Sequence, residues 1–508
     1  MPILYRNGRV DAPGIRGAGA FAVEGGAITW VGADADASPG AGTRTVDLGG
    51  ALVTPAFVDA HVHATATGLG LTGLDLRSTS SLAEALAAIE RAARAARGRP
   101  ILGGGWDESR WPERRPPTAA ELDRAAYGGA VYLARVDVHS AVVSSAVMAL
   151  VPGLAGLAGY DRDGWQHEPQ AHDAVRVAAL EALSPGQRRE AQRACLAHVA
   201  ALGIACVHEM GGPIISSADD LADLLELSRN EPVAEVIGYW GELHGVATAL
   251  ELGAIGAGGD LFVDGSLGSH TAALAAPYVD RPDTRGVLRF ETDELAAHVA
   301  ECTAAGLQAG FHAIGDAAVD QLLDAFERAG PRAGAGHRVE HAEYVRDPDR
   351  LAASGLVASM QPAFDALWGG RDGLYAERLG ADRALALNRF ADLAAAGVPL
   401  AFGSDTPVTE PGPWAAVRAA VHPHDPSAGI AARAAFVAHT AAGWAAAGRR
   451  GEGLLVAGAP ATFAVWEAGE PLDGGLPDLA PGRELPRCRA TVRRGTPIHD
   501  PDHLIPAP

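Results

Sequence analysis

Short apolar runs recur between residues 56 and 405, and helix-like stretches separate most of them. In chain order they are AFVDAHVH (56–63), GIACVHEM (203–210), AEVIGYW (234–240), DLFVDG (260–265), LQAGFHAIG (307–315), RVEHAEY (338–344), GLVASMQP (355–362) and VPLAFGSD (398–405). Runs of this length predict buried strands, whereas ELAAHVAECTAAG and AAVDQLLDAFERAG carry helical spacing. Eight strands with helical crossovers predict an α/β fold, a closed (β/α)8 TIM barrel. The count requires residues from about 64 to 190 to be an inserted subdomain after the first strand. That segment has its own helix (SLAEALAAIERAARAARG) and strands (ILGGGW, AVYLAR), and it is expected to cover the barrel mouth. Both chain ends read as strands broken by Gly turns: LYRNGRV and FAVEGGAITWVG at one end, 451–470 and 489–497 at the other. The expected organisation is therefore a composite β-sandwich from 1–53 and 452–508 around a barrel at 54–451.

Composition narrows the function. The chain has 508 residues, 48% hydrophobic and 20% charged, enough to bury a large core. A net charge of −21 disfavours nucleic acid and anionic membrane surfaces as partners. All 41 basic residues are Arg, and no Lys occurs anywhere. Schiff-base chemistry, a P-loop lysine and a carboxylated lysine are thereby excluded. The four cysteines (Cys195, Cys206, Cys302, Cys488) form no C-x-x-C pair, and the N-terminus shows no apolar signal segment. The uncharged stretch 141–160 contains Pro152 and reads as buried helix and loop. These features predict a cytoplasmic protein with a small-molecule substrate, and they are compatible with a homo-oligomer.

Active sites of such barrels form at the C-terminal ends of the strands. The first strand ends in His61-Val62-His63, whose side chains two apart share one side. The fifth carries His312, the sixth His341, and the eighth ends in Asp405. Each is weak evidence alone, since Asp405 before Thr-Pro would also cap a helix. Together, in order, at strand ends, imidazoles and a carboxylate suit a borderline metal such as Zn²⁺.

The segment TPAFVDAHVH (54–63) resembles the first-strand signature of the amidohydrolase superfamily. The resemblance continues through GGGWDESRWPERRPPTAAELD (103–123), RVDVHSAVVSSAVMAL (135–150), LFVDGSLGSHTAAL (261–274), HAIGDAAVD (312–320), RVEHAEY and FGSDTPV (402–408). It is strongest to the amidohydrolase 3 branch, which includes N-substituted formamide deformylases. The resemblance implies His61, His63, His312, His341 and Asp405 as metal ligands, with Asp405 also the general acid/base and His341 a second catalytic group. It implies Trp106 and His139 as pocket-lining residues, although Trp106 reads equally well as insertion core. His270, where relatives commonly have Arg, is a further substrate-binding candidate. Ala56, Val142, Ser144 and Thr462 also depart from the usual pattern.

The departure of most consequence is Asp260, where many relatives carry a carboxylated lysine bridging two metals. The shorter Asp is expected to fall short of such a bridge, so one Zn²⁺ or other divalent transition metal per chain is expected. Asp260, Asp264 and Glu209 remain alternative metal carboxylates. The resemblance implies metal-dependent hydrolysis of a C–N bond in an amide, N-acyl or N-formyl compound. Deamination, ester or lactone hydrolysis, and a non-catalytic metal-binding barrel are the alternatives.

Overall fold

The computed structural model describes residues 1–136, 140–167, 170–330, 336–469 and 475–506. They form two compact units, one of residues 1–63, 196–212 and 224–508, the other of residues 64–195 and 213–223.

The first unit holds eight parallel strands: β1 (Phe57–Val62), β2 (Ile204–Gly211), β3 (Glu235–Trp240), β4 (Gly256–Ala257), β5 (Gln308–Ala313), β6 (Arg338–His341), β7 (Val357–Met360) and β8 (Leu400–Phe402). Each pairs with its sequence neighbour. Residues just past β8 return to β1, where Asp405 N–H donates to His61 O (2.8 Å) and His63 N–H to Thr406 O (2.9 Å). The sheet thus closes into a (β/α)8 barrel. Its strands are almost wholly buried, as parallel strands covered by helices must be. The helix Asp316–Ala329 shows why the crossovers form. Ala318, Val319, Leu322, Leu323, Ala325 and Phe326 make one buried stripe, and Gly330 (φ 57°) ends the helix in the left-handed conformation.

Strand four departs from expectation. It lies at Gly256–Ala257, and DLFVDG leaves strand geometry except for one bridge from Phe262 to His312. The cause is the pair Gly258 (φ 146°) and Gly259 (φ 91°), which turns the chain out of the ladder through conformations that other residues rarely adopt.

Both chain ends build sheets in this same unit. One runs Ala27–Gly32, Ala20–Glu24, Ile3–Arg6, Arg44–Asp47; the other runs Arg9–Val10, Leu52–Pro55, Phe463–Glu467, Arg487–Arg493, Thr496–His499. Their inner faces share one core, in which the rings of Tyr5, Phe21 and Phe463 pack 4.7–5.3 Å apart. The second sheet therefore joins the two ends of the chain in a sandwich.

The second unit centres on a five-stranded sheet in the order Trp165–His167, Ser140–Val143, Val131–Arg135, Ile101–Trp106, Leu74–Asp75. The helix Leu82–Ala96 packs Leu82 and Ile89 against it with Trp106 and Trp111. Within 141–160 the chain forms the end of a strand and two single-turn helices. Among the described residues no helix is long and apolar enough to cross a membrane.

Candidate metal centre

The side chains at the C-terminal ends of the barrel strands converge. On β1 the alternation places Asp59, His61 and, just beyond the strand, His63 on one side. Asp59 serves the barrel closure: its carboxylate accepts the Ser404 N–H (2.8 Å), the Ser404 hydroxyl (2.6 Å) and the His61 N–H (3.3 Å). Burial pushes its pKa up to about 6 despite these donors.

Each of the four histidines commits one ring nitrogen to a fixed partner. His61 Nδ1 meets Glu340 Oε2 (3.0 Å), His63 Nδ1 meets Met210 O (3.2 Å), His341 Nδ1 meets Gln361 Oε1 (2.8 Å) and His312 Nε2 meets Gly265 O (3.2 Å). With protons donated to those acceptors, the other nitrogen of each ring presents a lone pair to the centre. Glu340 is itself gripped by Arg338, with Nε to Oε1 at 2.8 Å and Nη2 to Oε2 at 3.0 Å. Arg338 is fully buried and also donates to His208 Nδ1, the Tyr239 hydroxyl and Ala60 O. Burial would raise the Glu340 carboxyl, but Arg338 and His61 outweigh it and hold it well below the usual range.

The second ring nitrogens face two carboxylates. His63 Nε2 lies 3.1 Å from Asp405 Oδ1 and 3.4 Å from Asp260 Oδ2, and His61 Nε2 lies 3.5 Å from Asp405 Oδ1. His312 Nδ1 and His341 Nε2 lie 3.1 and 3.4 Å from Asp260 Oδ1. Burial opposes charge on Asp260 and His341. Yet Asp260 is held well below the usual carboxylate range by His312, His341 and His63, and His341 is pushed up to about 9 by Asp260 and Asp405. His61 Nε2 and Asp405 Oδ1 are buried and make no hydrogen bond. Unpaired buried polar atoms cost stability, so two that face each other across a gap call for a ligand between them. A tetrahedral ion with spokes of about 2.1 Å needs ligand atoms about 3.4 Å apart, and these separations fit. The backbone is strained here too: His341 (φ 69°), Ala342 (φ 45°) and Asp405 (φ 57°) are left-handed, which costs of order 1–3 kcal/mol each.

Asp260, which follows the Gly258–Gly259 turn, brings its carboxylate within 3.1–4.0 Å of a nitrogen of each of the four histidines. Asp264 and Glu209 are placed differently. Asp264 accepts the backbone N–H groups of Ala273, Ile314 and Gly315 at 2.8–3.0 Å, which spends its oxygens on holding loops. Glu209 is buried on β2 and joins none of the potential ligand groups. His270 pairs with Asp280 (2.9 Å), which Arg378 also binds. Trp106 is buried in the core of the second unit, its indole N–H on Leu133 O (2.8 Å). His139 lies outside the described residues.

Sequence reasoning missed Asp59, Arg338, Glu340 and Gln361 as supports of this centre. The available signal was the two-residue spacing of Arg338 and Glu340, which puts both on one face of a buried strand where charges must pair.

The profile of the amidohydrolase family matches residues 44–499. Protein LONG AFTER FAR-RED 3 of Arabidopsis thaliana is 29% identical over 419 residues, 75% of this chain and 70% of that one. N-substituted formamide deformylase of Arthrobacter pascens is 30% identical over 156 residues, 29% of this chain and 28% of that one. A solved structure described as an uncharacterized metal-dependent hydrolase of Pyrococcus furiosus superposes with a TM-score of 0.78 at 28% identity, covering 92% of this chain and 98% of that one. The converging ligand-type side chains at the strand ends and a profile match over residues 44–499 lead to one assignment: the chain belongs to the amidohydrolase family.

Proposed function

We propose that the protein is a metal-dependent hydrolase that cleaves a C–N bond in a small amide, N-acyl or N-formyl compound, using Zn²⁺ or another divalent transition metal. The observation that carries this reading is a pair of buried atoms that make no hydrogen bond, His61 Nε2 and Asp405 Oδ1, facing each other beside His63. His61, His63, His312, His341 and Asp405 would hold the metal. When bound, it supplies activation of water and polarisation of the substrate carbonyl.

The chain's own residues do the rest. Asp405 accepts a proton at its carboxylate from the attacking water and returns it to the leaving nitrogen. Glu340 and Gln361 hold the His61 and His341 rings in the orientation that aims Nε2 at the centre. The local match to a protein named as a formamide deformylase supports the choice of a C–N bond. A cytoplasmic setting belongs to this reading and is supported by four cysteines that form no disulfide.

A panel of amides, N-formyl amines, aminoheterocycles and esters tests the proposal on protein stripped with a strong chelator and reloaded with Zn²⁺. Amide or N-formyl turnover lost on stripping and restored on reloading is expected. Full activity in demonstrably metal-free protein would overturn the metal role. Turnover confined to esters or aminoheterocycles would move the assignment to those reactions.

A further inference from the structure

Two side chains apart from the metal-ligand set carry a cost that the fold does not explain. Glu343 follows β6 by two residues, at the C-terminal end of the barrel strands, and Asn388 lies in the segment between β7 and β8. The Asn388 N–H donates to Glu343 O (2.8 Å), which ties the two residues together. Both are buried, at 3% and 1% exposure. Yet Glu343 Oε2, Asn388 Oδ1 and Asn388 Nδ2 make no hydrogen bond, although the Asn388 amide comes close to the Glu343 carboxyl. Polar atoms shut away from water without hydrogen bonds cost stability, so three in one place point to a ligand they are built to receive.

The set defines that ligand. It holds two acceptors, Glu343 Oε2 and Asn388 Oδ1, and one donor, Asn388 Nδ2. A terminal –CO–NH2 group matches all three: its two N–H bonds serve the acceptors and its carbonyl oxygen takes the donor. An ammonium would leave Asn388 Nδ2 without an acceptor, a carboxylate would meet Glu343 with like charge, and an ester offers no donor. The surroundings are aromatic. Tyr375 also borders the Glu343 carboxyl, and its ring stands 6.2 Å from Trp368. Trp368 stands 4.9 Å from Phe364, which stacks on His341 at 5.9 Å. A row of rings thus runs from Glu343 to the metal centre. Resting on the hydrolase reading above, we propose that Glu343 and Asn388 form a specificity subsite for a terminal carboxamide or ureido group of the substrate, separate from the bond that is cut.

N-formylglycinamide and N-formylglycine methyl ester share the N-formyl group and differ only in –CO–NH2 against –CO–OCH3. Both are titrated calorimetrically into Zn²⁺-loaded protein, and formate release is followed on the same samples. The unaltered protein should bind the amide about 10–100-fold more tightly than the ester. Asn388→Gly should bring the amide down to the affinity of the ester. Asn388 has a φ of 51°, which glycine adopts freely, so this variant should fold. Its urea midpoint should be no lower than that of the unaltered protein, because it sheds two buried polar atoms that make no hydrogen bond. Glu343→Gln should weaken the amide in the same sense. Equal affinity for the two probes in the unaltered protein, or binding of neither, would overturn the subsite, and formate release would then leave the hydrolase reading intact. An amide preference that survives in Asn388→Gly would overturn it too, and a lowered urea midpoint with it would give both side chains a structural role. Release of ammonia in place of formate would make the carboxamide the bond that is cut, which also overturns a separate subsite. An amide preference lost in Asn388→Gly, with no formate released from either probe, would uphold the subsite and defeat N-formyl hydrolysis.

Discussion

At the scale of single residues, the barrel turns ordinary side chains into a cation site by fixing one end of each. Asp405 carries the sharpest expectation. Asn is nearly isosteric and still offers an oxygen, but it cannot accept a proton at neutral pH. Asp405→Asn should keep its fold and most of its metal while turnover falls by about 10²–10⁴. Unchanged turnover with unchanged metal would reduce Asp405 to a structural group. Gln361 is the cleanest test of ring orientation, because removing it strands no charge. Gln361→Ala leaves His341 Nδ1 without its acceptor, and metal affinity should drop about 10–100-fold in competition with a chromogenic chelator. Equal affinity in the two proteins would show that the ring is held by other contacts. The cluster of four histidines and Asp405 was legible in the sequence because its members sit at recurring strand ends. The groups that aim them were not, because a Glu or Gln in an apolar run looks the same whether it orients a ring or merely pairs in the core.

At the scale of elements, strand four and β6 show where periodicity stops being informative. The alternation along β6 puts Arg338 and Glu340 on the barrel's inner side and would send His341 outward. The left-handed turn at His341 and Ala342 brings that ring back to the site, and no hydrophobic pattern encodes such a turn. Strand four was misplaced for a related reason. DLFVDG has strand composition, but the two glycines before it interrupt the ladder after Ala257, and pairing resumes only at the Phe262–His312 bridge. The adjacent glycines were the visible clue, and their consequence was a conclusion about reach rather than about strand length. Gly258→Ala should therefore act locally. With its Cβ 2.2 Å from the backbone of Gly310 and a positive φ, it should cost about 2 kcal/mol or more in urea unfolding. Wild-type stability in this variant would show that the added Cβ is accommodated at the turn.

At the scale of the whole molecule, the stability of the barrel-bearing unit should carry an acid-sensitive component. His439 is buried against Phe57 and donates from Nδ1 to Val58 O (2.8 Å), and burial lowers its pKa to about 4. In the unfolded chain the value is about 6.5, so the unfolded state binds the proton first as pH falls. This contribution is complete above pH 6.5 and is lost on the way down to pH 4. Between pH 7 and pH 5 it should remove about 2 kcal/mol. Urea midpoints of metal-free protein and of His439→Gln should converge as the pH falls over that interval, and parallel curves would exclude His439 as the source. The barrel closure has a consequence of another kind. β1 and the residues after β8 are separated by most of the chain, yet they share the Asp59–Ser404 link, the Asp405–His61 and His63–Thr406 hydrogen bonds, and the centre itself. The site is a clasp between the first and last staves of the barrel. A nascent chain still lacking residue 405 has nothing to fasten, so metal uptake must follow synthesis of β8 and the residues just after it. In the finished protein, amide hydrogen exchange at His63 and Asp405 should quicken when metal is withdrawn, as a hoop loosens first at its join.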